Sequence, residues 1–170
     1  KNFKEPVISL AERAISDQGI RAYQEGQYDE ALRILDPVLQ KNPANYVALS
    51  AKGMTLALQG NTEEGLRYIR QAYTTNPAYV PIYYDMAIAY KLEGRLEDSQ
   101  QWFQRVIENE PGNTWALYGI STIYADRGDR EKALSFLRQA IDTDPSVKAT
   151  AREQDHFAAF IGDPEFDTLT

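Results

Sequence analysis

Residues 80–113 read VPIYYDMAIAYKLEGRLEDSQQWFQRVIENEPGN and contain two helical patterns separated by a turn. The first half has apolar residues at helical spacing, namely Tyr83, Met86, Ala87 and Tyr90. The second half has small or apolar residues at the same spacing, namely Leu96, Ser99, Phe103, Val106 and Ile107. Gly94 ends the first pattern and Pro111 ends the second, as is typical of helix termini. The stretch therefore predicts two amphipathic helices joined by a tight turn.

The same pattern recurs along the chain with a period of 34 residues. The turn glycines are Gly26, Gly60, Gly94 and Gly128, and the terminating prolines are Pro43, Pro77, Pro111 and Pro145. A large apolar residue keeps the same register at Leu35, Ile69, Phe103 and Leu137. Two such helices cannot enclose a core alone, so the units must stack on one another. We predict four repeats, at residues 12–45, 46–79, 80–113 and 114–147.

The repeat resembles the tetratricopeptide repeat, whose pattern has an aromatic, Leu-Gly and Tyr in the first helix and Ala, an aromatic and Pro in the second. The third repeat matches with Tyr83, Ala87, Tyr90, Phe103, Val106 and Pro111. Where the family usually has Ala, Gly65 and Ser99 are still small. The resemblance implies an all-α fold, a right-handed α-solenoid of four 34-residue helix-turn-helix repeats plus a C-terminal capping helical segment. We predict a single domain over residues 1–170.

Both ends of the chain carry helix signals outside the repeats. Pro6 suits the first turn of the first helix. In residues 148–170 we predict three short helices, capped by Ser146, Asp155 and Asp163. These helices would bury four large apolar side chains: Phe157, Phe160, Phe166 and Leu169. Because the last repeat of an array otherwise exposes its apolar side, we interpret this segment as a lid on the core.

Composition excludes several classes of function. The 170 residues carry a formal charge of −7, which disfavours nucleic acid as a partner. Cysteine is absent, so thiol catalysis and thiolate metal sites are excluded. No apolar run reaches the ~18 residues of a membrane span, and we predict a soluble chain without membrane insertion. The localisation stays open between the cytoplasm and export after removal of an N-terminal segment, because the first residue is Lys1.

Signals for catalysis are nearly lacking. His156 is the sole histidine, and it lies in the capping segment, where a structural role is the better interpretation. The acidic residues fall on polar faces and turns, and no glycine-rich phosphate loop is present. We therefore predict no enzyme activity, no catalytic residue, no metal site and no cofactor.

The resemblance implies that the first helix of each repeat lines a concave groove. Side chains at i, i+3 and i+4 spacing on that helix share one side, and here they are largely apolar or aromatic. The predicted peptide-binding residues are Asp17, Ile20, Tyr23, Met54, Tyr84, Asp85, Ile88, Lys91, Trp115, Tyr118 and Thr122. Packing between repeats is the competing interpretation of the aromatic residues. Tyr68, Trp102 and Phe136 belong to the second helices and are expected in the core.

We predict a non-catalytic scaffold that binds a protein or peptide segment in this groove. Some relatives hold a chaperone C-terminal carboxylate with Lys, Asn and Arg, but the matching places here have Ser, Asp, Ile, Ala and Met, so that ligand is not expected. One alternative is a self-associating structural module, in which Ile8 and Ile15 meet a second copy in a homo-oligomer. Another is an accessory part of a larger, exported or enzymatic protein.

Overall fold

The computed structural model describes residues 4–170, in which the regular elements are helices and no β-strand is present. Four helical hairpins follow one another: α1 (Leu10–Gln24) with α2 (Tyr28–Lys41), α3 (Tyr46–Leu58) with α4 (Thr62–Thr75), α5 (Val80–Leu92) with α6 (Leu96–Asn109), and α7 (Thr114–Asp126) with α8 (Arg130–Thr143). The chain then forms α9 (Val147–Glu153), a 3₁₀ helix (Asp155–Phe160) and α10 (Pro164–Leu169). The predicted all-α solenoid of helix-turn-helix repeats with a capping segment is confirmed.

The chain divides into two compact units. The first unit ends at Ser99 and the second unit is Gln100–Thr170, so the boundary lies within α6. In the first unit α1 packs on α3 and α3 packs on α5, which places the first helices of three repeats in one layer. The second unit contains α7, α8 and the capping segment. The single domain expected for residues 1–170 stays a prediction.

The turn inside each hairpin has one backbone geometry. At the first turn the Gln27 N–H donates to the Ala22 carbonyl (2.8 Å) and the Gly26 N–H donates to the Tyr23 carbonyl (3.0 Å). This is the Schellman pattern, and it requires a residue in the left-handed region. Gly26 has φ +78° there, and the three other turn glycines repeat the geometry. Residues with a side chain disfavour such a φ, so each turn requires a glycine. The glycines therefore recur every 34 residues because the turns do.

The connections that follow α2, α4 and α8 contain Asx turns, in which a side chain accepts a backbone hydrogen bond. Three backbone N–H groups donate to Asn or Asp side chains two residues earlier: Ala44 to Asn42 (3.1 Å), Ala78 to Asn76 (3.2 Å) and Ser146 to Asp144 (2.9 Å). Each of these Asx turns encloses a proline, which cannot extend the preceding helix. The side chain of Ser146, expected to cap α9, makes no capping bond, so that expectation was wrong.

Small residues allow the helices of a hairpin to approach closely. A Cβ atom on Gly19 would lie 2.5 Å from Leu35 Cδ2, and one on Gly53 would lie 2.5 Å from Ile69 Cγ1. Leu35 and Ile69 are fully buried at these crossings. The large residue of the second helix therefore fills the space that the glycine leaves, which explains why both positions recur in register.

The first helix begins four residues later than Pro6 suggested. α1 starts at Leu10 because Ser9 and Glu12 form a reciprocal capping box. The Glu12 N–H donates to Ser9 Oγ (3.1 Å), and the Ser9 N–H donates to Glu12 Oε2 (3.1 Å). This pair satisfies two donors at the helix start, so the proline remains outside the helix.

The capping segment closes the core of the second unit. Phe157 and Phe166 are fully buried and stack with ring centroids 5.7 Å apart. Phe160 contacts both rings at 5.6 Å and 6.0 Å, and Leu169 packs against the same core. The predicted burial of these residues is thus confirmed, and their contacts cover the apolar sides of α7 and α8.

The capping segment also keeps the turn of a hairpin. Gly162 lies 34 residues after Gly128 and has the same left-handed backbone, with φ +94°. The Asp163 side chain accepts from the Glu165 N–H (2.9 Å) and caps α10 as predicted. Asp155 instead opens the 3₁₀ helix without a side-chain capping bond, so that predicted cap is absent. The period of the turn glycines therefore extends to a fifth position.

Candidate interaction surfaces

The first helices of the first unit present a mixed face of aromatic, apolar and acidic side chains. Most predicted residues there keep partial exposure: Asp17, Ile20, Tyr84, Asp85, Ile88 and Lys91. Tyr23 and Met54 are instead buried, at 9% and 4% exposure. The partly exposed residues are accessible from solvent, whereas Tyr23 and Met54 belong to the buried core.

Asp85 is an acid of this face that is hydrogen-bonded to a neighbouring first helix. Ser50 Oγ of α3 donates to Asp85 Oδ2 of α5 at 2.6 Å. Burial raises the pKa of Asp85 to about 7, and the Ser50 hydrogen bond only partly opposes this shift. Burial raises the pKa of Tyr84 to about 12, and the charge of Asp85 raises it further. The same two causes, in the same order, raise the pKa of Tyr23, so both phenols stay neutral beside the acid.

Asp17 has a different environment on the same face. Its Oδ1 accepts from Arg13 Nε at 3.2 Å, and both side chains are well exposed. Arg13 also donates to the Tyr79 hydroxyl at 3.0 Å and lies over that ring, 5.7 Å from its centroid. The charge of Asp17 is therefore already balanced by a cation, and this acid is a weaker candidate for holding a ligand than Asp85.

The predicted residues of the second unit divide into one exposed and two buried side chains. Trp115 is 41% exposed in the first turn of α7, and its ring meets that of Tyr118 edge-on at 5.8 Å. Tyr118 is only 6% exposed, because its hydroxyl donates to Gln154 Oε1 (2.6 Å) and its ring contacts Phe157 (6.1 Å). Thr122 has no exposed surface, and its hydroxyl donates to the Gly119 carbonyl at 2.7 Å. Trp115 alone of these three is available to a ligand.

The second helices of the first unit carry a cleft that sequence reasoning did not find. Its volume is about 390 Å³, and residues of α2, α3 and α4 line it. Lys52 crosses it, with an ion pair to Asp36 (2.7 Å) and its Nζ atom 4.7 Å from the centroid of the Tyr68 ring. Tyr68, expected in the core, is partly buried and forms the rim of this cleft. In the sequence, Lys52 of α3 and Asp36 of the preceding helix α2 are the pattern that could have indicated this cleft.

The two other aromatic residues of the second helices lie at the edge of the core. Trp102 and Phe136 are partly buried. The Arg105 guanidinium lies 4.4 Å from the centroid of Trp102, and Phe136 stacks on Tyr124 at 5.7 Å. Each of these two helices therefore places one aromatic ring at the edge of its apolar face, where the ring contacts a charged or aromatic neighbour.

The single histidine of the sequence contacts an acid at the end of α7. His156 Nδ1 lies 2.8 Å from Asp126 Oδ1, which joins the capping segment to the end of α7. Residues 4–170 contain no group of three or more acidic, His or Cys side chains suited to a metal ion. In the same residues no helix has both the length and the apolar character needed to cross a membrane.

Comparisons with known proteins agree with this architecture. Sequence profiles described as "Tetratricopeptide repeat" match residues 16–80, 56–112 and 116–147. No curated protein matches the chain in sequence. Similar solved structures include MamA, with 19% identity, TM-score 0.67 and coverage of 96% of this chain and 90% of that one. The structure described as Pseudomonas aeruginosa pilF has 13% identity and TM-score 0.78, covering 94% and 73%.

A third similar structure is YrrB, described as a TPR protein with an unusual peptide-binding site. It has 15% identity and TM-score 0.62, and the match covers 91% of this chain and 80% of YrrB. These identities are low, so the likeness concerns the fold. With the profile matches and the repeated hairpins taken together, the chain belongs to the tetratricopeptide repeat family.

Proposed function

We propose that the chain binds a polypeptide segment on the exposed faces of its first helices and catalyses no reaction itself. Tetratricopeptide repeat proteins are in general protein-interaction scaffolds and typically non-catalytic. The observation that carries the proposal is the exposure of large side chains on these helices, foremost Trp115 at 41%. Tyr84 and Ile88 add partly exposed apolar surface in the first unit. Such side chains are enriched among the residues that dominate binding energy.

The charges of the same helices restrict the partner. Asp85 forms no ion pair within residues 4–170, so in its ionised form it would repel the terminal carboxylate that some relatives bind. The net charge of −7 likewise opposes a phosphate backbone. A protein or peptide segment with aromatic or apolar anchors is the partner that these faces fit, and the description of YrrB as peptide-binding supports this class.

The test is to place a photo-crosslinking residue on these helices. Benzoylphenylalanine replaces Ile88 or Trp115 in separate variants, and irradiation in an extract of the source cells precedes mass spectrometry. We expect a specific polypeptide adduct from each of these positions. A matched control places the crosslinker at Arg33, an exposed residue of the second helix α2. Adducts that form equally well from position 33 would overturn the proposal.

Substitution gives the energetic counterpart of this experiment. Tyr84→Ala and Trp115→Ala should each lower the affinity for the captured partner by about tenfold or more, because anchor residues contribute at least ~1–2 kcal/mol to binding. Ile161→Ala is the control, since Ile161 is a comparably exposed apolar residue of the capping segment (54%). Unchanged capture by both aromatic variants, with helicity preserved, would remove these faces from the function.

A second candidate function is self-association through α1. Val7 and Leu10 are 88% and 91% exposed, and Ile15 is 41% exposed, so apolar surface just before and within α1 remains open to solvent. Ile8, expected in this surface, is partly buried. Burying such a surface against a second copy would stabilise a symmetric dimer. Light scattering across a dilution series tests this, and a monomer at every concentration would exclude it.

A further inference from the structure

Among residues 4–170, the carboxylate of Asp85 has one hydrogen-bond partner and no ion-pair partner. Ser50 Oγ donates to its Oδ2 at 2.6 Å, and within residues 4–170 no Lys, Arg or His forms an ion pair with it. Asp17 on the same face is paired with Arg13, and Asp36 on α2 is paired with Lys52. Asp85 is thus a partly exposed acid of the first-helix face, and no cation among residues 4–170 compensates its charge.

The groups recorded around Asp85 are neutral. Tyr84 precedes it on α5, and burial together with the charge of Asp85 raises the pKa of both Tyr84 and Tyr23 of α1. From α3 it meets Ser50, the side chain whose contact favours its ionised form. An anionic ligand would be repelled here, and a purely apolar ligand would leave the acid further dehydrated, which is costly for a charged group.

A cationic group is the ligand chemistry that satisfies this arrangement. It would pair with Asp85 in a partly buried setting, where water screens the attraction less than on the surface. The adjacent tyrosine rings add cation–π stabilisation for an ammonium or guanidinium group. Charge complementarity of this kind contributes specificity as well as affinity.

We propose that Asp85 receives a cationic group of the bound polypeptide, with Tyr23 and Tyr84 beside that cation. The group is a Lys or Arg side chain or the N-terminal amine, which share this chemistry. The inference rests on the proposed function, since it names the feature of the partner that the first unit selects. Apolar residues of the partner would contact Ile88 and Tyr84 next to this charge.

The proposal makes binding depend on pH in a defined direction. The carboxylate is protonated at low pH and cannot then attract a cation. Affinity for a basic peptide should therefore rise as pH increases from about 5.5 to 8, while Tyr23 and Tyr84 remain neutral over that range. Lys and Arg stay charged throughout, so the change reports on the protein side of the pair.

A phage-displayed library of random peptides provides the test. The full 170-residue chain, its Asp85→Asn variant and its Asp17→Asn variant are each screened at pH 7.5. The two variants have the same net charge, so Asp17→Asn controls for general attraction of basic peptides to an acidic protein. We expect the peptides enriched by the wild type and by Asp17→Asn to share a basic residue at a fixed spacing from an aromatic or apolar one. The peptides enriched by Asp85→Asn should lack this basic residue.

Synthetic peptides then measure the effect and separate the two cation sources. Replacing the selected Lys by norleucine should weaken binding to the wild type about tenfold or more, and binding to Asp85→Asn less than about twofold. If the N-terminal amine is the cation, acetylation of the peptide has this effect instead. The wild type measured at pH 5.5 and pH 8 gives a readout that needs no folded variant.

The outcomes distinguish this inference from the function on which it rests. Peptides enriched in aromatic or apolar residues without a basic position would overturn the role of Asp85 and leave the binding face intact. Equal loss with Asp85→Asn and Asp17→Asn would assign the preference to net charge and overturn it as well. Failure to enrich any peptide would overturn the proposed function and this inference together.

Discussion

Tyr84 and Tyr118 occupy the same position of consecutive repeats, 34 residues apart, yet their surroundings differ. Tyr84 is partly exposed in the first unit beside the uncompensated Asp85. Tyr118 is buried in the second unit, where it donates to Gln154 and packs on Phe157. One repeat position therefore serves a candidate binding face in one unit and the attachment of the capping segment in the other.

The residue that follows each tyrosine shows the same contrast. Asp85 follows Tyr84 and accepts from Ser50, whereas Gly119 follows Tyr118 and leaves space for Phe103. The difference shows that the position of a residue within the repeat does not by itself predict whether its side chain is exposed. What packs on the helix next, another repeat or a cap, determines which side chains remain for a ligand.

The largest expected effect comes from removing the capping contact that buries Tyr118. Phe157→Ala should lower the free energy of unfolding by about 3–5 kcal/mol, because it leaves a cavity among Tyr118, Phe160 and Phe166. Urea unfolding followed by circular dichroism measures it. Ile161→Ala, at an exposed site of the same segment, should change stability by less than about 0.5 kcal/mol. Equal effects of the two variants would contradict the role of the cap.

The next effect concerns the counterpart of Asp85 in the second unit. A Cβ on Gly119 would lie 2.5 Å from Phe103 Cζ, so Gly119→Ala should cost about 1–3 kcal/mol through overpacking. Gly112→Ala is the matched control, since a Cβ there meets nothing within 4 Å. The same unfolding assay compares them. A neutral Gly119→Ala would show that the two helices can separate at little cost.

The pH dependence of stability tests the first unit. Folding raises the pKa of Asp85 from 3.8 to about 7, so the folded chain holds this proton more tightly than the unfolded chain. The stabilisation is complete below about pH 4 and is lost as pH rises towards 7, at about 1.4 kcal/mol for each pKa unit. Asp85→Asn should remove this decline, measured as urea midpoints between pH 4 and 8.

Asp17→Asn again provides the control for that experiment. It removes an acid of the same face that is paired with Arg13 and exposed. Its stability profile should therefore keep the decline between pH 4 and 7. If the urea midpoints of the wild type and of Asp85→Asn changed by the same amount between pH 4 and 7, the burial of Asp85 would be contradicted.

The smallest effect isolates the hydrogen bond that holds Tyr118. Tyr118→Phe removes the donor to Gln154 and should cost about 0.5–1.5 kcal/mol. Gln154→Ala, alone and combined with Tyr118→Phe, completes a double-mutant cycle in the unfolding assay. A coupling energy near zero would mean that ring packing on Phe157 alone attaches the cap.

The fold was readable from the residues because its determinants are local and repeated. Each turn glycine has a left-handed backbone, and each close helix crossing has a small residue opposite a large one, as at Gly53 and Ile69. Those requirements act within one hairpin, so they appear in the sequence at the period of the hairpin. The buried phenylalanines of the capping segment were predictable because they are its largest apolar side chains, which the exposed apolar side of the last repeat requires for its cover.

The candidate site was less predictable because exposure depends on contacts between distant residues. Tyr118 and Thr122 matched groove positions, but the capping segment and helix packing removed them from the surface. Asp17 and Asp85 also matched equivalent positions, yet Arg13 balances one and Ser50 alone contacts the other.

Spacing along the chain specifies which side of a helix a residue occupies, and this much follows from the residues alone. Whether that side is covered, and whether a charge on it finds a partner, follows only from how the helices pack. The physical reason is that the turns and crossings act within one hairpin, whereas burial and the hydrogen bonds between repeats join side chains more than 30 positions apart, as for Ser50 and Asp85 or Tyr118 and Gln154.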